Sequence, residues 1–583
     1  GQAAQLRITD RAGGVVFDAP VELTLQSRSN KDAPAALLDL PAQQRRLELI
    51  FPNIKLDAKP EIGDTKLLPG EMYAQIRDLR TNSLIGQGAE FVTPTIDWHA
   101  IAPELVLAAV ALGIVLLDSV LLERAKPLIP GIAGLGFLAA LIPVLTLATA
   151  SPEIRSTFDG AFVINNRALA LKVLFLVTGY IVVLLSTKYV AEGDYWESEY
   201  YALMMCSVLG MSVMASATDL ITIFIALELL SIPAYMLAGW RKRDTKSNEA
   251  GLKYYLMGVF ATGIFLYGFS LLYGVSGSTN LGEISRAIGK GDAPSSIVVV
   301  ALVLSIIGFG FKVSAVPFHA WAPDTYEGAP TPITAFLAVA SKAAGFAALI
   351  QLVFIGFAER ADVVQPLMFI LAALSMTVGN LIAIRQTNVV RMLAYSGIGQ
   401  AGYILACFAV YEANAELAVS AIVSYLLIYA AMNLGAFACV IAIARKTGSA
   451  ERDSMRGLFS YAPGVAVMFT LFLASLVGIP PLGGWYAKVS VWNALIGAGT
   501  GMGYALAVIM AVNTAIAAYY YMAVAHAMWF DDAPDGDVTP FKVPVNLVAA
   551  IAICLVVTLV AGVLPDLITK MSTVPALAAG LGG

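Results

Sequence analysis

Two patterns of apolar and polar positions divide this chain. Over residues 1–98, short runs alternate strictly, as in Val21-Glu-Leu-Thr-Leu-Gln26, Arg46-Leu-Glu-Leu-Ile-Phe51 and Met72-Tyr-Ala-Gln-Ile-Arg77, with Pro and Gly clusters between them. Period-two alternation sends successive side chains to opposite faces, which predicts half-buried strands and a small N-terminal β-sandwich-like domain. From Ile101 the pattern changes to apolar runs of about 20 residues, enough for a helix to cross a bilayer. Fourteen such runs are predicted, at 101–122, 128–150, 168–187, 200–217, 219–239, 252–274, 297–319, 330–357, 366–384, 392–410, 418–444, 462–482, 502–529 and 543–569. Apolar helix from Trp485 to Ala498 continues the twelfth. The expected fold is thus an all-α polytopic membrane domain over 99–583 behind a β-rich domain at 1–98.

Composition agrees with a membrane setting. The chain is 58% hydrophobic and 13% charged with a mean hydropathy of +0.76, against about 25% charged residues in soluble domains. A net charge of −5 over 583 residues points to no nucleic acid. Cys206, Cys407, Cys439 and Cys554 lie in apolar runs without paired-ligand spacing, and read as small core residues. Lys and Arg concentrate in alternate loops, at Arg241, Lys242, Arg243 and Lys246, at Arg385 and Arg391, and at Arg445, Lys446, Arg452 and Arg456. The positive-inside rule makes those loops cytoplasmic. An even number of spans then leaves both termini, and the N-terminal domain, on the extracytoplasmic side. Gly1-Gln2 at the start fits removal of an export signal. Residues 1–98 hold no histidine or cysteine, so an interaction or stabilising role is expected there.

A few charges fall inside the spans, where each is costly. A lysine at the bilayer centre costs about 2.5–3.5 kcal/mol on insertion scales and generally lines a polar path or faces a partner. Lys312 precedes Pro317 and His319 in Phe309–Pro332, Glu228 sits near the middle of span five, and Lys342 near the middle of span eight. Lys488 follows the Gly478-Ile-Pro-Pro-Leu-Gly-Gly484 interruption of span twelve. A single Glu–Lys pair can simply fix helix packing. Four such groups with two interrupted spans point instead to a transport pathway, because freed backbone is tolerated at depth only inside protein or beside water. Grouping spans four to eight and nine to thirteen makes each interrupted span the fourth of its group, although Lys312 precedes its break and Lys488 follows its own.

Proton transfer suits this row. Burial disfavours a charged amine and a nearby carboxylate favours it, so a lysine whose acid approaches or withdraws can load and release a proton. A sodium site calls for a cluster of oxygen ligands, and Asp219, Thr222 and Glu228 make a poor one. For His319 two readings stand, a proton relay between Lys312 and the cytoplasmic loop or a cap on the broken helix. Asp324 and Glu327 in the loop are solvated or pin it. Arg391, Tyr395, Ser396 and Gln400 set polar groups along span ten, either to hold water or to pack helices.

The run Lys312-Val-Ser-Ala-Val-Pro-Phe-His-Ala-Trp-Ala-Pro-Asp-Thr-Tyr-Glu-Gly-Ala-Pro-Thr-Pro332, with Leu227-Glu-Leu-Leu-Ser231 and Gln386-Thr-Asn-Val-Val-Arg-Met-Leu-Ala-Tyr-Ser396, closely resembles the NuoN-type antiporter-like subunit of respiratory complex I, the proton-pumping NADH:quinone oxidoreductase. The resemblance covers about 101–570. It implies discontinuous helices seven and twelve within two inverted five-helix repeats. By that analogy Glu228 and Lys312 form the coupled pair of the first half-channel, Lys342 lies on the central axis, and Lys488 leads to the outer exit. It also implies a multi-pass protein of the bacterial inner membrane, with neighbouring antiporter-like subunits, other membrane-arm subunits and lipid as partners. No Rossmann fingerprint, cysteine cluster or haem ligand pair is present, so no cofactor is expected in this chain, and NADH, FMN, iron–sulfur clusters and quinone are expected in partner subunits. The alternatives are a stand-alone or Mrp-type sodium/proton antiporter subunit and a structural membrane scaffold. Two features depart from the family pattern: the β-rich segment, and Gln400 where histidine often stands.

Overall fold

The structure is a computed structural model that describes residues 2–10, 15–27, 45–50, 72–78, 83–86, 96–120, 123–150, 154–192, 197–291 and 294–572. The chain divides into two compact units, Gly1–Thr95 and Ile96–Gly583. In the first, β1 (Gln2–Asp10), β2 (Val15–Ser27), β3 (Arg45–Ile50), β4 (Met72–Asp78) and β5 (Ser83–Gly86) form one antiparallel sheet in the order β3-β1-β2-β4-β5. A bulge between Ile8 and Thr9 shifts the β1–β2 register. The second layer of a sandwich is not among the described residues.

The second unit is predominantly helical. It opens with α1 (Ala102–Val120) and α2 (Ile129–Ala150), a hairpin of β6 (Arg155–Thr157) and β7 (Phe162–Ile164), and α3 (Asn166–Ala191). Next come α4 (Glu197–Ser216), α5 (Leu220–Ala238), α6 (Thr245–Ser276), α7 (Leu281–Lys290) and α8 (Ser295–Lys312). A break at 313–320 leads into α9 (Trp321–Gly328), α10 (Thr331–Phe336) and α11 (Lys342–Gln351), the last two joined by a π-helical turn at Leu337–Ser341. The second series is α12 (Ala361–Ala383), α13 (Val389–Phe408), α14 (Ala415–Thr447), α15 (Leu458–Tyr461) and α16 (Pro463–Val477). After a break at 478–482 follow α17 (Gly483–Gly497), α18 (Gly501–Phe530), α19 (Val545–Val563) and α20 (Pro565–Ser572).

The polar ends of these helices set their lengths. Helix α6 begins behind Asp244, whose carboxylate accepts from Lys246 N, and ends at Gly277 with φ 70°. Helix α14 begins behind Asn414 and ends at Gly448, also with φ 70°. Side-chain caps and left-handed glycines satisfy the backbone groups a helix end leaves open. Both helices therefore outrun the apolar stretches 252–274 and 418–444 that mark them in the sequence.

Among the described residues, eleven helices are long and apolar enough to cross a membrane. The distribution of side chains fits that solvent. Leu112, Leu116, Phe260, Tyr267, Val508 and Tyr519 face outward, whereas α14 and the stretch Thr331–Gly356 are almost wholly buried. Helix α14 packs against α3, α10, α13, α16, α17 and α19 and forms the centre of the unit.

One local pattern occurs twice. Leu220 N donates to Thr279 O (2.8 Å) and Leu281 N to Thr218 O (3.0 Å), tying the start of α5 to the turn after α6. In the same way Val389 N donates to Ala450 O (2.9 Å) and Arg452 N to Thr387 O (2.8 Å), tying the start of α13 to the turn after α14. Each series then reaches a broken helix, at α8/α9 and at α16/α17. The acidic stretch after the first break, expected as a loop, is the helix α9. Pro323 falls in its first turn, where no intrahelical N–H bond is lost.

Candidate functional site

Lys312 is the last residue of α8, where a cation also meets the negative end of the helix dipole. Its Nζ donates to Ser231 Oγ (2.8 Å) and Tyr254 OH (3.4 Å) and lies 5.7 Å from the Tyr254 ring centre. Tyr254 is held by Trp321, stacked at 4.5 Å and 11°. Trp321 in turn ties α9 back to the end of α8, donating from Nε1 to Phe311 O (2.9 Å). Glu228 lies one turn before Ser231 on α5, so both project from one face. Its Oε1 accepts from Thr262 Oγ1 (2.9 Å), and it is the carboxylate that acts electrostatically on Lys312. The amine and the acid thus share a site, with Ser231 rather than Glu228 taking the direct hydrogen bond.

Lys342 starts α11 directly after the π-helical turn, a distortion frequent at functional positions. Its Nζ donates to Gly397 O on α13 (3.0 Å) and lies 5.9 Å from the Tyr326 ring centre. Lys488, on α17, reaches across the second break and donates to Val477 O (2.6 Å), the last carbonyl of α16. Thr514 Oγ1 accepts from it at 3.4 Å, and the Tyr403 ring centre is 5.0 Å away. Lys312, Lys342 and Lys488 retain only 4%, 3% and 3% of their surface.

Between Lys342 and Lys488 runs a set of hydroxyl and amide groups. Ser396 bonds Tyr521, Tyr425 donates to Gln400 Oε1, and Gln400 Nε2 donates to Leu476 O (3.2 Å) and Tyr521 OH (3.4 Å). Gln400 therefore uses both amide hydrogens and its carbonyl oxygen, and links α13 to α14, α16 and α18.

His319 stands apart from this row. It lies half-buried in the break after α8, and among the described residues its Nδ1 is buried without a hydrogen-bond partner and its ring makes no bond to Lys312. Asp324 and Glu327 pin α9. Asp324 accepts from Arg391 (2.8 Å) and Lys253 (2.8 Å), and Glu327 from Arg391 (3.1 Å), around a cavity of about 170 Å³. Burial pushes the Asp324 carboxyl up, but Lys253 and Arg391 together outweigh it and hold it below its ordinary range.

Two buried polar groups have no counterpart in the sequence reading. Lys172 on α3 forms a 2.7 Å ion pair with Glu104 on α1, and Arg167 donates to Gln351 at the end of α11 (2.9 Å). Lysine inside Leu169-Ala-Leu-Lys-Val-Leu174 was the available signal.

The family model described as NADH:quinone oxidoreductase/Mrp antiporter, TM, matches residues 217–517, which contain Glu228, Lys312, Lys342 and Lys488. An NADH-quinone oxidoreductase subunit N from Trichlorobacter lovleyi is 37% identical over 486 residues, covering 82% of this chain and 96% of the relative. A chain of respiratory complex I from Thermus thermophilus with bound aureothin matches with a TM-score of 0.68 at 31% identity, covering 81% of this chain and 100% of that one. A chain of the Mrp complex from Dietzia sp. shares the fold, with a TM-score of 0.71 at 19% identity over 82% and 97% of the two chains. Fold and buried charges together define an antiporter-like membrane protein. The chain belongs to the NADH-quinone oxidoreductase subunit N family.

Proposed function

We propose that this chain is a proton-translocating membrane-arm subunit of an NADH:quinone oxidoreductase, coupling quinone reduction elsewhere in the complex to proton transfer along Glu228, Lys312, Lys342 and Lys488. One observation carries the reading. Three lysines are buried within a single membrane unit, and each amine is held by hydroxyl or carbonyl oxygens. An ammonium paired directly with a carboxylate keeps its proton. One held by neutral oxygens is free to exchange its proton along a path of hydroxyl groups and water. Glu228, close to Lys312 but bonded to Thr262, supplies the charge that loads the first station.

Several finer features belong to the same reading. Adding α4, α13 and the broken α16/α17 pair to the eleven apolar helices makes fourteen spans. The matched ties of α5 to Thr279 and of α13 to Ala450 support two five-helix repeats, α4–α11 and α12–α18, of inverted topology. The loop charges support a multi-pass protein of the bacterial inner membrane with both termini outside. The N-terminal unit is then an extracytoplasmic module that packs against neighbouring subunits. NADH, FMN, iron–sulfur clusters and quinone reside in partner subunits, and the chain sits between antiporter-like neighbours in a lipid bilayer. Among the described residues no side-chain bond joins His319 to Lys312, and its ring stands at the break after α8 as a candidate relay or cap.

Purification under native conditions tests the assignment. Co-isolation in a large assembly with NADH:quinone activity supports it. Sodium/proton exchange by the purified chain alone would contradict it.

A further inference from the structure

The ion pair between Glu104 and Lys172 has no place in the row of stations and lies outside residues 217–517. Glu104 sits in the first turn of α1, 7% exposed, and the Lys172 side chain is fully buried. Both polar neighbours meet the same carboxylate oxygen: Lys172 Nζ forms an ion pair with Oε1 at 2.7 Å, and Ser212 Oγ on α4 donates to it at 2.6 Å. The Phe162 ring closes the far side of the amine, 4.7 Å from Nζ. Oε2 is buried and, among the described residues, has no hydrogen-bond partner.

A carboxylate that served only to clamp three helices would use both oxygens, because a buried acceptor without a donor is costly. We infer that Glu104 Oε2 is a proton-accepting atom, and that Glu104 with Lys172 forms an outward release site for the proton held at Lys342. Helix α3, which carries Lys172, packs against α10 and against the π-helical turn that leads into Lys342. Five residues toward the start of α3, Arg167 binds Gln351 at the far end of Lys342's own helix, so α3 and α11 are tied along their shared outer half. In the transfer, an N–H bond of the Lys342 ammonium breaks as an O–H bond forms on Oε2, relayed by water. Lys342 becomes a neutral amine and Glu104 a carboxylic acid. The acid then gives its proton to extracytoplasmic water and is restored as the carboxylate. Lys172 keeps its proton throughout and compensates the charge of the emptied site.

This inference rests on Lys342 being a proton station, and the test separates the two. In the complete complex reconstituted in vesicles, Glu104→Gln is expected to lower the proton-to-electron ratio, with Glu104→Asp restoring it. The infrared difference spectrum of the turning-over complex is expected to show a protonated-carboxyl band that Glu104→Gln removes and Glu104→Asp shifts. Should Glu104→Gln fail to assemble, the band shift in Glu104→Asp decides alone. A wild-type ratio in Glu104→Gln, or a carboxyl band unmoved by Glu104→Asp, would overturn the release site. If Lys342→Met in the assembled complex also pumps normally, the station reading fails with it. If Lys342→Met loses pumping, only the release site falls.

Discussion

The two broken helices solve one problem with different materials. At α8/α9, Lys312 ends the first helix segment and its amine reaches side chains on two other helices, Ser231 on α5 and Tyr254 on α6. At α16/α17, Lys488 belongs to the second segment, yet its amine returns to the last carbonyl of the first, Val477 O at 2.6 Å. In sequence one lysine precedes its break and the other follows. In space only the Lys488 amine meets the C-terminal end of its leading segment, where a helix carries about half a negative charge, while the Lys312 amine leaves its own helix for α5 and α6. The first break adds an acid, Glu228. The second relies on a backbone carbonyl, with the Thr514 hydroxyl only at 3.4 Å, and its two segments pack closely enough that glycine is required. A Cβ on Gly484 would lie 1.7 Å from Ser475 O, whereas one on Gly310 would meet the edge of the movable Phe318 ring at 3.1 Å.

The largest expected difference between the two breaks is therefore steric. Gly484→Ala is expected to force α16 and α17 apart, costing about 3 kcal/mol or more, while Gly310→Ala costs within about 1.5 kcal/mol. The yield and thermal stability of the assembled complex check both. Equal losses would show that the first break is also built on backbone contact.

Next in size is the acid. Glu228→Gln leaves the shape of the first site but removes the charge acting on Lys312, and is expected to slow coupled turnover roughly tenfold, equivalent to about 1.4 kcal/mol. Wild-type turnover in that variant would make the acid irrelevant and the two breaks equivalent. Hydroxyl deletions sharpen the contrast further. Ser231→Ala removes a 2.8 Å bond from Lys312, and about 1 kcal/mol follows. Thr514→Val removes a 3.4 Å contact from Lys488, with an effect of about 0.5 kcal/mol or less. Pumping rates in vesicles rank the two.

The smallest effect lies at α9, which ties the first break to α13. The Asp324 carboxyl is held below its ordinary value of 3.8, since Lys253 and Arg391 outweigh its burial. A lowered folded-state value means the ion pairs contribute above about pH 4 and are lost as pH falls through the folded-state value. Asp324→Asn should flatten the acid limb of the complex's stability profile, measured by thermal melting against pH. An unchanged limb would remove Asp324 from that role.

Much of this was legible because apolar runs leave so few polar residues to weigh. Lys312, Lys342, Lys488 and Glu228 stand out at once among leucine, valine and alanine. Their immediate partners do not, because Ser231 and Tyr254 lie 81 and 58 residues from Lys312 and one partner of Lys488 is a backbone carbonyl. Glu104 and Lys172 escaped notice because a charge near the end of an apolar run reads as one snorkelling to the interface. Only the packing of α1, α3 and α4 shows that they meet inside. Helix α9 was hidden by its Pro323 and Gly328, which signal a loop until Pro is placed in a first turn. His319 shows the opposite case: the sequence left relay and cap both open, and among the described residues its ring Nδ1 has no hydrogen-bond partner.

If buried lysine amines carry the translocated proton, Lys312→Met removes the first of them. The variant keeps the length and apolar stem of the side chain while deleting the amine. In the fully assembled complex reconstituted in vesicles, with NADH oxidation and proton uptake followed together, proton translocation per electron is expected to be lost. A wild-type proton-to-electron ratio at full assembly would contradict it.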